Sequence, residues 1–149
     1  MLDGSGGVYL AGAAPLPKHS PGPAMVLLKY DGDGRLVWTN SAGGSWSGFF
    51  TGPAASATGS AVTTDGTGNV YVAGSFTGTP AFASTNFLFS GVDFGHAGGG
   101  TFVTNQLGTS NGREHDLFLA KYDRQGVFQW VRAAGGTNDD YAYGVAESG

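Results

Sequence analysis

The chain has 149 residues, of which 28 are Gly and 6 are Pro, about twice the usual combined share of roughly 12%, and this argues against long helices, which lose about 1 kcal/mol per interior Gly and 3 per Pro. Aromatic side chains at 13% and apolar side chains at 40% are too abundant for whole-chain disorder. A formal charge of -4 with no basic cluster removes nucleic acid as a partner, since a phosphate backbone requires several cations on one face, and the absence of Cys removes disulfides and thiolate chemistry.

Residues 3 to 12, DGSGGVYLAG, form a Gly-rich turn followed by a short β-prone run. Residues 25 to 44, MVLLKYDGDGRLVWTNSAGG, predict a hairpin: an apolar strand, a turn at Asp31-Gly-Asp-Gly34, and a return over Leu36 to Thr39. Ser60 to Thr64 reads as a further strand. It leads into DGTGNVYVAG at 65 to 74, which repeats the opening motif at an offset of 62 with seven of ten identities. There Val70 to Ala73 is the strand, and Gly74 is expected to close it.

The stretch from Phe76 to His115 is too long for an ordinary hairpin loop. It holds Phe82, Phe87, Phe89, Phe94 and Phe102, and solvating five such rings would forfeit roughly 1.5 to 3 kcal/mol each. Part of it is expected to fold back as an extra hairpin over Thr85 to Phe89 and Gly100 to Asn105, with Asn111-Gly112-Arg113 as an exposed turn. Residues 117 to 136, LFLAKYDRQGVFQWVRAAGG, then match 25 to 44 at an offset of 92. Tyr143 to Glu147 reads as the opening strand of another unit.

The two motifs recur in the same order, so one unit is duplicated with unequal insertions. Four antiparallel strands per unit with a Gly-Gly corner describe a propeller blade. The pattern resembles the bacterial β-propeller repeats called SBBP repeats through Asp65, Gly68, Asn69, Val70, Tyr71, Val72 and Gly74, then Asp116, Phe118, Lys121, Tyr122, Asp123, Gly126, Trp130, Gly135 and Gly136. The first copy keeps Lys29, Tyr30, Asp31, Gly34, Trp38, Gly43 and Gly44 but has Gly7 in the place of Asn69.

This implies an all-β fold of four-stranded antiparallel blades: a partial first blade at 1–48, a complete blade at 60–136 with its insert at 76–115, and the start of a third at 137–149. Roughly two and a quarter blades are too few to close a ring of four to eight. An incomplete propeller or an open two-bladed wedge is therefore expected, as a fragment of a longer parent chain that supplies further blades or as a self-associating chain.

Trp38 and Trp130 share a repeat position, as do Tyr30 and Tyr122, which points to packing between blades rather than ligand contact. Trp46 has no counterpart and is a candidate for stacking on a sugar or peptide. Phe94, Asn111 and Arg113 are candidate ligand contacts within the insert. Asp31 and Asp33 suit a hairpin turn, because the second copy has Gln125 in place of Asp33 and neither copy has the downstream Glu of a calcium loop. Asp139 and Asp140 are candidates for a weak cation site, although neighbours in an extended segment point to opposite faces. His19, His96 and His115 lack ligand spacing and read as solvated loop residues.

Neither a G-x-S-x-G nor a P-loop pattern occurs, so no catalytic constellation and no cofactor are expected. The expectation is a non-catalytic extracellular or cell-surface module, structural or in contact with protein or glycan, with no membrane insertion and with its export signal outside this chain. The alternative is a fragment of a propeller enzyme acting on polysaccharide, its catalytic residues lying outside these residues.

Overall fold

The structure, a computed structural model, describes residues 1, 4, 6–15, 23–44, 56–77, 92–93, 102–103 and 114–148. All of its regular elements are strands: β1 (Val8–Pro15), β2 (Pro23–Tyr30), β3 (Leu36–Gly44), β4 (Ser56–Thr64), β5 (Val70–Thr77), β6 (Val92–Asp93), β7 (Phe102–Val103), β8 (Asp116–Tyr122) and β9 (Phe128–Ala134). They make two open antiparallel sheets, ordered β1-β2-β3-β6-β7 and β4-β5-β8-β9. Each is a blade, and together they form an incomplete propeller.

One turn chemistry fixes three of the hairpins, β2–β3, β4–β5 and β8–β9. Asp31 Oδ1 accepts the N–H groups of Asp33 and Arg35 at 3.0 and 2.8 Å, Asp65 Oδ1 those of Thr67 and Asn69 at 3.0 and 2.9 Å, and Asp123 Oδ1 those of Gln125 and Val127 at 2.9 Å each. The glycine three residues on, Gly34, Gly68 or Gly126, has φ of 79°, 86° or 83°, a left-handed conformation that costs L-residues with a side chain roughly 1–2 kcal/mol. The hairpin reading of Asp31 and Asp33 is thus what the geometry shows, and Asp33 turns aside to Arg35 at 3.3 Å.

Asp65 accepts three more bonds, from Thr67 Oγ1 at 2.8 Å, Asn69 Nδ2 at 2.8 Å and Tyr71 Oη at 3.1 Å. The Asn69 and Thr67 donors, the Asn69 side-chain amide foremost, hold its carboxyl far below the usual carboxylate range.

The repeat extends to register. Tyr9 pairs with Lys29 and Lys29 with Trp38 in the first sheet; Tyr71 pairs with Lys121 and Lys121 with Trp130 in the second. The irregularity between Lys29 and Tyr30 recurs between Lys121 and Tyr122. Even Met1, 62 positions before Thr63, exchanges both backbone hydrogen bonds with Tyr9 at 2.7 and 2.9 Å, as Thr63 pairs with Tyr71.

Because side chains alternate along a strand, this register gives each sheet two distinct faces. Tyr9, Met25, Leu27 and Ala42 of the first sheet bury against Val70, Val72, Phe76, Phe118, Ala120, Tyr122 and Val131 of the second. Trp38 also packs on this core, and a Cβ on Gly126 would lie 2.9 Å from its ring. Asn40 Nδ2 donates to the Gly126 carbonyl at 2.6 Å. Trp38 is therefore a packing residue between blades, as its repetition predicted.

Three expectations change. β5 does not stop at Gly74 but runs to Thr77; Gly74 lies inside the sheet opposite Gly59 and Phe118, where a Cβ would collide with the Thr58 carbonyl and lie 2.8 Å from the Phe118 ring. Close approach, rather than a turn, requires that glycine. Tyr143 to Glu147 is not a strand, and no regular element is assigned after β9 in the described residues, since an extended segment becomes a strand only when a neighbour accepts its ladder hydrogen bonds. The insert does contribute a hairpin, but its first arm is Val92–Asp93 paired with Phe102–Val103. This hairpin joins the first sheet by pairing Val92 and Asp93 with Gly44 and Gly43; Thr85 to Phe89 lies outside the described residues.

Gly34 and Gly126 share the same turn but differ in surroundings, as a Cβ on Gly34 meets nothing within 4 Å. Gly34→Ala should cost about 1–2 kcal/mol from its backbone alone. Gly126→Ala should cost a further ~1–3 kcal/mol by overpacking Trp38. Urea titration of the two variants measures the difference, and equal midpoints would remove the interface from the account.

The depressed Asp65 carboxyl contributes stability that is fully present above its unfolded value of about 3.9 and is lost as pH falls below that. Asp65→Asn should be less stable at neutral pH. The gap to the wild type should narrow as pH falls below about 4, which urea midpoints across that range will show.

Candidate functional site

Outside the turns, a group of titratable side chains among the described residues lies where β8 begins. The alternation that turns Phe118, Ala120 and Tyr122 inward also turns Asp116 inward, leaving it 3% exposed opposite Phe76. Its carboxylate lies against the Gly135 backbone, where a Cβ would collide with it. Asp116 Oδ1 is buried with no hydrogen-bond partner among the described residues. Burial, followed by the nearby Asp140 and Glu114 charges, pushes its carboxyl above the usual range.

Around it the segment after β9 folds back. The backbone N–H and Nδ1 of His115 meet Asp139 Oδ1 at 2.8 and 3.1 Å. Tyr141 Oη lies 3.0 Å from the same ring nitrogen, with ring centroids 4.9 Å apart. Asp140 N donates to the His115 carbonyl at 2.6 Å, and Asp140 Oδ2 accepts from Gly136 N at 2.7 Å. The His115 backbone N–H, more than its ring, holds the Asp139 carboxyl below the usual range.

One carboxyl raised and another lowered in the same region is a pattern found in acid/base pairs. Here it does not supply such a pair, because a general acid must come within hydrogen-bond reach of its substrate and Asp116 is enclosed by Gly135 and the sheet. What the arrangement does is tie the segment after β9 to the start of β8.

Of the sequence candidates, Asp139 and Asp140 are brought into this cluster, each carboxylate bonded to a different partner. Among the described residues no three His, Cys, Asp or Glu side chains converge on a metal position. Trp46, Phe94, Asn111 and Arg113 lie outside the described residues. His115 is not the freely solvated loop residue expected, since Asp139 and Tyr141 both engage it.

Asp116 was not singled out as a site residue, although a signal exists. At the offset of 92 it aligns with Ala24, which is fully buried, so the second copy places a carboxylate where the first has a methyl group.

Residues 45–79 match the family model described as SBBP, beta-propeller repeat. The match spans β4 and β5 and contains the Asp65 turn. No curated protein sequence matches the chain.

An unpartnered buried acceptor costs about 1–3 kcal/mol. Asp116→Ala, which installs the residue already present at Ala24, should therefore raise the urea midpoint at neutral pH. Because the raised carboxyl penalises folding only while ionised, the gain should be largest above the folded pKa and shrink as pH falls through it. A loss of stability at neutral pH would mean that Asp116 is held by a compensating partner.

Proposed function

We propose that the chain is a non-catalytic β-propeller repeat module that acts outside the cell or at its surface as a rigid platform, structural or for contact with protein or glycan. The observation that carries this reading is that, among the described residues, the chemically distinctive side chains shared by the two blades are engaged in turns and ring stacks of the blades themselves. Asp31, Asp65 and Asp123 form turns. Lys29 lies over the Tyr9 ring and Lys121 over the Tyr71 ring, at 5.0 and 5.2 Å. The Trp38 ring centroid is 5.8 Å from that of Tyr9, and Trp130 is 6.1 Å from Tyr71.

A surface in which charged residues are only 12% of the chain, about half the usual share, supports the exported setting. Loops individual to one copy are where a platform acquires specificity. Trp46 and the insert residues Phe94, Asn111 and Arg113 are the contacts we assign to it.

The test is electrophoresis of the chain through gels containing soluble polysaccharides, with reducing-end measurement on the same mixtures. A glycan platform is retarded by at least one polysaccharide, with retardation weakened in Trp46→Ala and no new reducing ends formed. Sustained release of reducing ends that Asp139→Asn abolishes would overturn the non-catalytic assignment.

A further inference from the structure

The buried contact between the two sheets is a template, because each sheet carries both of the faces that make it. In the first sheet the face of Tyr9, Met25, Leu27 and Trp38 is covered by the second. The residues at the same register positions in the second sheet are Tyr71, Leu117, Leu119 and Trp130. They reproduce the Lys–Tyr–Trp stack but are only half-buried.

The reverse holds for the opposite face. Val70, Val72 and Tyr122 of the second sheet are 0–1% exposed. Their counterparts Val8, Leu10 and Tyr30 lie on the uncovered side of the first sheet, where Leu10 is 49% exposed and Leu36, the counterpart of the core-packed Phe128, is 53% exposed. Gly34, the counterpart of the Gly126 that receives the Trp38 ring, has nothing within 4 Å of its Cβ position.

We infer that the Tyr71–Leu119–Trp130 face binds the Val8–Leu10–Leu36 face of a second copy of this chain, head to tail. The geometry is that of the internal interface: Trp130 of one copy lies against Gly34 of the next, and Arg132, which stands where Asn40 stands, reaches the Gly34 carbonyl. The occupant is specified by shape as well as by apolarity. The one surface already seen to cover a Lys–Tyr–Trp face carries a left-handed glycine turn and three inward apolar rows, and the first sheet presents that surface. Such a contact is head to tail, so it propagates into open chains or closes into a ring of two or more copies, two copies giving four blades. The inference rests on the register and burial of the two sheets and stands apart from any glycan or protein contact.

The test uses the full-length chain and two variants at exposed or half-buried positions, Leu10→Arg on one face and Leu119→Arg on the other. Light scattering after size exclusion should show the wild-type mass rising with concentration above 15.1 kDa. Each variant alone should remain at 15.1 kDa, while their equimolar mixture, having one intact face of each kind, should give a species of twice that mass. Leu36→Arg and Trp130→Ala repeat the experiment should either first variant lose its β-sheet circular dichroism. A wild-type chain that stays at 15.1 kDa up to about 1 mM, the weak end of measurable association, overturns the proposal. So does a single variant that self-associates as the wild type does, or a mixture that remains monomeric.

Discussion

In the turns at Asp31, Asp65 and Asp123 a single carboxylate oxygen receives the backbone N–H groups two and four residues ahead, and a glycine with positive φ completes the reversal. That small constraint sets which residue faces which across the strands. A slip of one position would send every inward side chain to the other face. The Asp turn therefore decides more than a local bend: it sets Lys29 opposite Trp38 in the first sheet and Lys121 opposite Trp130 in the second.

Once register is set, the packing follows with little freedom. The faces differ in chemistry, one carrying stacked aromatic rings under a lysine and the other short rows of Val, Ala and Phe. Their mutual burial forms the apolar core of the described residues. Glycines recur where backbone must come close: a Cβ on Gly59 would lie 3.1 Å from Met25 and 3.2 Å from Ala11, Gly74 lies under Phe118, and Gly126 receives Trp38. The high glycine content, which at first suggests only turns, is thus partly a packing device. The insert between β5 and β8 adds a second link, because its hairpin pairs with β3 of the other sheet.

The start of β8 departs from this economy. Asp116 carries a buried oxygen without a partner among the described residues at a position where the first blade has Ala24. Natural sequences that break a local rule usually do so for a purpose. Here the neighbouring Asp139 and Asp140 bonds bring the segment after β9 back to His115, which places a charged, aromatic corner with Tyr141 and Tyr143 at that end of the second sheet.

Sequence alone settled what depends on local chemistry and repetition. The Asp-Gly turns, the hairpin partners around them, the all-β class and the packing role of Trp38 were legible because a duplicated ten- or twenty-residue pattern reports the same local requirement twice. It misjudged Gly74, since a glycine needed for close approach looks identical in sequence to one that turns the chain. It overestimated Tyr143 to Glu147, because strand propensity becomes a strand only when a partner backbone is in place. The enclosure of Asp116 by Gly135, the bonds from His115 to Asp139 and Tyr141, and the docking of the insert hairpin on β3 were decided by tertiary structure alone. Each joins residues that are distant in the chain, through a register and a sheet-to-sheet contact that no local pattern encodes.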